Sequence, residues 1–246
     1  MARSALRIVV VYPDLLGTYG DGGNGVILAS RARRRGFEVD LVEAASDRPL
    51  PRADLYTLGG GEDAPQVQAA ERLGAEGVLA AAVAEGAAVL AVCAGYQILG
   101  KSFPTAEGTA SPGLGLFEVA TEKGTGARAV GEIVVEAAVP TVGLLTGFEN
   151  HGGVSVRGPS AGALGTLRRG SGNGDGTDGV WSGRLVGTYL HGPVLARNPA
   201  LADVLLSWAT GRDDLAPLDD RREEALRAER LEAALSSPLS MLRRRR

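Results

Sequence analysis

One cysteine and two histidines are the only thiol and imidazole side chains among the 246 residues. A lone cysteine excludes an intrachain disulfide and any multi-cysteine zinc site, and two histidines leave little for a transition-metal centre. Aromatic residues are scarce, at 4%. No stretch approaches the roughly 20 apolar residues that a bilayer span requires. The opening segment carries one short apolar run that soon meets Pro13 and Asp14, which reads as a strand and not as a signal peptide. A basic excess is also missing: 26 Lys and Arg stand against 29 Asp and Glu, for a net charge of −3. Proteins that neutralise many phosphates are basic, so nucleic acid is not expected as a partner. These absences point to a protein of a reducing compartment that does not insert into a membrane.

What is present is 44% apolar residues, enough for a full-sized core, and 36 glycines, against an average usage of about 7%. Leu6–Tyr12 is a β-branched apolar run stopped by Pro13-Asp14 and predicts a buried strand. A helical spacing follows over 26–35, strands over 37–42 and 54–58, an Ala-rich helix over 64–85 with a break near Gly74 or Gly77, and a strand over 87–92 that runs into Cys93. Strand and helix alternating in this way predict an open, mostly parallel α/β sheet. In such sheets functional groups gather beyond the carboxyl ends of the strands. From 113 onward the strands shorten, at 116–120, 128–137, 154–157, 163–168 and 185–190, and residues 169–184 read as a mobile polar loop. Helices are expected over 198–210 and 220–236, ahead of four terminal arginines, Arg243–Arg246, that read as a solvated tail or a contact to an acidic surface. The division expected is a domain over 1–212 and a C-terminal helical extension over 213–246.

Val89–Gly100 reads as strand, tight turn and helix, with Cys93 on the turn. A thiol there stands above the sheet near a helix N-terminus, where free N–H groups favour thiolate, and small residues at 91, 94 and 95 permit a sharp elbow. The alternative is a buried cysteine acting as a small hydrophobe. A nucleophilic cysteine needs a base, and only His151 and His191 carry an imidazole. His191 ends a strand-like run and position favours it; His151 lies in a Gly-flanked loop, 147–153. The Gly59-Gly60-Gly61 turn could offer N–H groups to an oxyanion together with that of Ala94, or be an ordinary βα turn. The glycines over 17–25 fit neither a P-loop nor GxGxxG, and suit a loop near the mouth of a site.

Cys93-Ala94-Gly95-Tyr96-Gln97, the turn 58–63 and Tyr189-Leu190-His191-Gly192-Pro193 resemble class I glutamine amidotransferases of the cobyric-acid-synthase-like branch. Residues 12–21, 147–153 and 189–199 are similar to the GatD type within it, which serves lipid II isoglutaminyl synthase. The resemblance covers roughly residues 6–210 and implies a flavodoxin-like, three-layer α/β fold. It implies Cys93 as nucleophile, His191 as general base, the backbone at Gly60 and Ala94 as oxyanion hole, Arg128 as the contact to substrate L-glutamine, and Gln97 on the pocket wall. His151 becomes a structural loop residue. No cofactor is implied for this chain, with ATP and magnesium expected on a MurT-like Mur ligase partner subunit. A cytoplasmic complex working near the inner face of the membrane is the implied setting. One departure stands out: class I enzymes place a glutamate two residues after the histidine, and this chain has Pro193 there. The resemblance then implies that the partner presents the missing acid. A cobyrinate-type amidotransferase and a non-catalytic scaffold with the same fold are the alternatives.

Overall fold

Each predicted strand of the first hundred residues must bury both faces if helices flank the sheet, and the burial follows that rule with a period of two. The computed structural model describes residues 5–236. Along β1 (Leu6–Val11), Leu6 and Ile8 pack on one side while Val9 and Val11 pack on the other. α1 (Gly23–Arg34) covers the Ile8 face through Leu28, Ala29 and Ala32. After β2 (Val39–Ala44) and β3 (Leu55–Leu58), α2 (Asp63–Glu76) and α3 (Val78–Ala84) cover the opposite face through Ala69, Leu73 and Leu79. The predicted helix break falls at Gly77, at φ +64. β4 (Ala88–Val92) repeats the alternation, with Leu90 on the α1 side and Val89 and Ala91 on the other, and α4 (Ala94–Leu99) follows it directly.

A second part of the chain forms two small sheets. β5 (Ser102–Pro104), β6 (Ala110–Pro112), β7 (Val119–Lys123) and β10 (Gly153–Arg157) make one, in the order β10-β7-β5-β6. β8 (Ala129–Ala137), β9 (Leu144–His151), β11 (Gly165–Arg169) and β12 (Thr177–Asp178) make the other, in the order β12-β11-β8-β9. The chain then returns to the first sheet as β13 (Val180–Ser182) and β14 (Leu185–Thr188), and ends in α5 (Val194–Arg197), α6 (Pro199–Thr210) and α7 (Arg221–Ser236). The main sheet runs β13-β14-β4-β3-β1-β2, parallel throughout except for β13 at its edge. Order 2-1-3-4-5 among the parallel strands is the flavodoxin-like winding, whose switch point lies between β1 and β3.

Two expectations are corrected. Residues 169–184 are not a mobile loop: they hold β12 and β13, and Asn173 and Asp178 are fully buried. Asn173 satisfies the backbone of Gly179 in both directions, at 2.9 and 3.1 Å, while Asp178 accepts from Thr188 Oγ1 at 2.6 Å. The segment 147–153 is likewise no loop, since 144–151 is β9 and pairs with β8 from Ala129 to Glu136. The extension packs back on the domain through α7, whose Arg227 reaches the Leu144 carbonyl. Arg243–Arg246 lie outside the described residues.

Candidate active site

Four loops meet where the parallel strands end: those after β1, β3, β4 and β14. Cys93 leaves β4 at φ +51, ψ −105 and is half-buried. A side-chain-bearing residue seldom takes that conformation, and such strain gathers at functional sites. The turn is tied on both sides, by Cys93 N–H to the Thr188 carbonyl (2.8 Å) and by Gly95 N–H to that of Gly59 (3.1 Å).

His191, just beyond β14, is 1% exposed. Its Nδ1 donates to Asp21 Oδ2 at 2.7 Å, and its Nε2 is buried without a hydrogen bond of its own. Burial alone would push the imidazole toward neutrality. The bond to Asp21 and the neighbouring Cys93 sulfur outweigh it and lift its pKa to about 10, so the resting site carries an imidazolium at neutral pH. Sequence reasoning missed Asp21. The signal that could have found it is positional: Asp21 sits in the glycine-rich loop after β1, at the carboxyl end of a parallel strand like the other functional groups.

Gly60 does not serve as a free oxyanion donor, because its N–H is bound to Asp21 Oδ2 at 2.9 Å. Among the described residues, the N–H groups of Gly61 and Ala94 have no backbone acceptor. The two turns approach each other here, since a Cβ on Gly61 would stand 3.7 Å from that of Ala94. One residue further along the glycine turn, the N–H of Gly61 is available to an acceptor where that of Gly60 is not. Gly60 has a steric task instead: a Cβ there would lie 2.6 Å from His191 Cε1 and 2.8 Å from Thr18 Oγ1. Gly60→Ala should therefore displace the imidazole and lower kcat by about 100-fold while leaving KM near wild type, as steady-state kinetics would report.

Cys93 opens on a cleft of about 250 Å³ lined by Gly61, Gln66, Gln97, Arg128 and His151 among others. Gln97 is buried and committed at both ends, accepting from Gln66 Nε2 at 2.9 Å and donating to the Tyr189 hydroxyl at 3.2 Å. It shapes the wall, and Gln66, unmarked by any motif, holds it in place. Arg128 is exposed at the rim, with Nε on Asn150 Oδ1 (2.5 Å) and Nη2 on the Asn150 carbonyl (3.1 Å). The Asn150 amide in turn donates to the Tyr19 hydroxyl, and the Tyr19 ring meets His191 edge-on at 4.9 Å. His151 is not a loop residue: it ends β9, stacks on Tyr189 at 3.7 Å and lines the cleft. A larger cleft of about 610 Å³, beside Trp181 and Trp208, is lined by neither the cysteine nor a histidine.

The model of the CobB/CobQ-like glutamine amidotransferase domain matches residues 7–199, which cover all four loops. The chain belongs to this family. The subunit GatD of a lipid II isoglutaminyl synthase (glutamine-hydrolyzing) from Staphylococcus aureus is 38% identical over 212 residues, covering 84% of this chain and 85% of its own. Its namesake from Streptococcus pneumoniae is 34% identical over 83% of this chain and 80% of its own. A cobyric acid synthase from Methylobacterium nodulans is 39% identical over 166 residues, but these make up only 32% of that protein. Among solved structures, the PurLQS complex of Thermotoga maritima gives a TM-score of 0.54 at 20% identity, over 84% of this chain and 96% of that one. A glutamine amidotransferase of the same organism gives 0.52 at 18%, over 96% and 100%. The fold is thus that of the class I glutamine amidotransferases. Among the described residues of this family member, no helix is long and apolar enough to cross a membrane, and no group of three or more His, Cys, Asp or Glu could hold a metal ion.

Proposed function

We propose that this chain is the glutamine-hydrolysing subunit of a lipid II isoglutaminyl synthase. It would deliver ammonia to a MurT-like Mur ligase that amidates the D-glutamate α-carboxyl of the lipid II stem peptide. The observation that carries the glutaminase reading is the cleft lined by both Cys93 and Arg128, with the Asp21-bonded His191 in the loop after β14, the strand that pairs with β4 ahead of Cys93. The lipid II reading is supported by two relatives of that name, each aligned over at least four-fifths of both chains.

In this reading Arg128 receives the α-carboxylate of L-glutamine, its Nη1 having no hydrogen bond among the described residues. As the thiolate paired with the His191 imidazolium, Cys93 attacks the γ-carboxamide carbon, and the N–H groups of Gly61 and Ala94 bind the oxyanion. His191 passes its proton to the nitrogen as the C–N bond breaks, releasing ammonia and leaving a γ-glutamyl thioester. Water, deprotonated by His191, then cleaves the thioester to glutamate and restores the Cys93 thiolate beside the imidazolium. ATP and magnesium chemistry belongs to the partner.

Arg128→Ala is expected to raise KM for glutamine about 10- to 100-fold with little change in kcat, because it removes binding present in ground and transition states alike. Lysine should recover only part, since it lacks the fork that meets both carboxylate oxygens. The reading as a whole is tested by co-expressing the chain with a MurT-like ligase and supplying glutamine, ATP and lipid II. Isoglutamine-bearing lipid II that depends on Cys93 is the expected product; glutamate release without any amidated lipid II would point to another acceptor.

A further inference from the structure

An aspartate just ahead of a helix ordinarily turns its carboxylate back to cap the first N–H groups. Asp21 stands two residues before α1 and makes no such bond. Its carboxylate faces the other way, is fully buried, and gives one oxygen, Oδ2, to both His191 Nδ1 (2.7 Å) and Gly60 N–H (2.9 Å). The second oxygen, Oδ1, has no hydrogen-bond partner among the described residues. A buried carboxylate with so little compensation is costly unless its one ionisable neighbour is charged.

The loop that carries it is fixed from several directions. Thr18 N–H bonds the Gly60 carbonyl at 3.2 Å, and Asn24 Oδ1 accepts from Leu195 N–H at 3.1 Å. Gly23 meets Pro193 so closely that a Cβ would lie 2.5 Å from the proline ring. The residue that replaces the expected glutamate therefore braces the loop that brings Asp21 in. Helix capping explains none of this, whereas orientation of the base explains all of it.

We infer that Asp21 is the positioning residue for His191: it holds the proton on Nδ1, keeps Nε2 toward Cys93, and ties the base to the glycine turn beside the oxyanion donors. The chain thus carries within itself the acid that the resemblance places on a partner subunit. The kinetic arm of this inference rests on the proposed glutaminase reading, and the spectroscopic arm does not.

The test compares wild type with Asp21→Asn, Asp21→Ala and Asp21→Glu. Asp21→Asn is nearly isosteric and preserves the loop, so it guards against loss of folding in the alanine variant. Asp21→Asn is expected to lower kcat for glutamate release by about 100-fold with KM unchanged, and Asp21→Glu to recover part of it. Because the chain has only two histidines, imidazole ¹⁵N resonances can be followed one by one. In Asp21→Asn the His191 titration should move down by about 1 to 3 pH units while His151 stays in place, a change that a purely structural role would not cause. A wild-type kcat and an unmoved His191 titration in Asp21→Asn would overturn the inference. So would a complex with the ligase subunit whose kcat ignores the substitution, because the acid would then come in trans. If wild type releases no glutamate yet the titration moves, the glutaminase reading fails and the pairing of Asp21 with His191 stands.

Discussion

Cys93→Gly is expected to yield a protein more stable than Cys93→Ala, and neither should release glutamate. The activity loss follows from removal of the nucleophile and should be on the order of 10⁴-fold or more, down to background hydrolysis. The stability order is the unusual part. In ordinary secondary structure glycine is worse than alanine by about 0.5–1 kcal/mol because it loses more backbone freedom on folding. At Cys93 the backbone stands at φ +51, ψ −105, where any Cβ carries strain of about 1–3 kcal/mol that glycine does not. Relief of the strain outweighs the entropy, leaving glycine ahead by about 1 kcal/mol. Equilibrium urea unfolding of both variants measures this difference. Alanine ahead of glycine would mean that the elbow is relaxed and that the sulfur is not held out by backbone geometry.

The largest stability effect is expected at Arg31, 4% exposed on α1. Its guanidinium is shared between two carboxylates: Nε and Nη2 bond Asp203 at 2.8 and 2.9 Å, and Nη1 and Nη2 bond Asp220 at 2.7 and 2.8 Å. One side chain thereby joins α1 to α6 and to the segment that leads into α7. Removing one partner of such a cluster strands the others, and Arg31→Ala should cost about 3 kcal/mol. The low end of the usual range applies because Asp203 keeps Arg35 at 2.7 Å. The hydrogen bond to Arg31 holds the Asp220 carboxyl below its ordinary 3.8, against the opposing effect of burial. A carboxylate lowered in the folded state contributes stability that is present above its unfolded value and lost as pH falls below it. Wild type should therefore lose this contribution below about pH 4, and Arg31→Ala should lack that acid dependence. Thermal unfolding from pH 3 to 7 compares the two, and identical profiles would show that Asp220 draws nothing from Arg31.

The parts of the fold legible in the sequence are those set by short-range pattern. β1, β3 and β4 are apolar runs of strand length closed by Pro, Gly or Cys, and the Gly77 break is a single residue that interrupts a long Ala-rich helix. The elbow was equally visible, because an apolar strand runs into Cys93 and the small residues around it permit a sharp turn. β9 was hidden by its glycines and polar side chains: Glu149 and His151 are buried only because Glu149 accepts the N–H groups of Ser171 and Gly172, and His151 stacks on Tyr189. Residues 169–184 misled in the same way, since the order there comes from Asn173 and Asp178, whose partners are distant or backbone. Asp21 is the instructive case. The acid that orients the base lies 170 positions before it, and only the 2-1-3-4-5 strand order places the two loops together. A rule of local spacing found Pro193 and inferred an absence; the topology supplies the carboxylate from another strand end.

The central claim is that Cys93 attacks a glutamine side chain held in the cleft beside Arg128. Intact-mass spectrometry after incubation with a glutamine-mimicking electrophile such as diazo-oxo-norleucine tests it most directly, because the chain has a single cysteine. The account predicts one adduct, on Cys93, that L-glutamine suppresses and D-glutamine does not, and that forms much more slowly in Arg128→Ala. A thiol that reacts with iodoacetamide but stays unmodified by the glutamine mimic, or an adduct indifferent to L-glutamine, would contradict it.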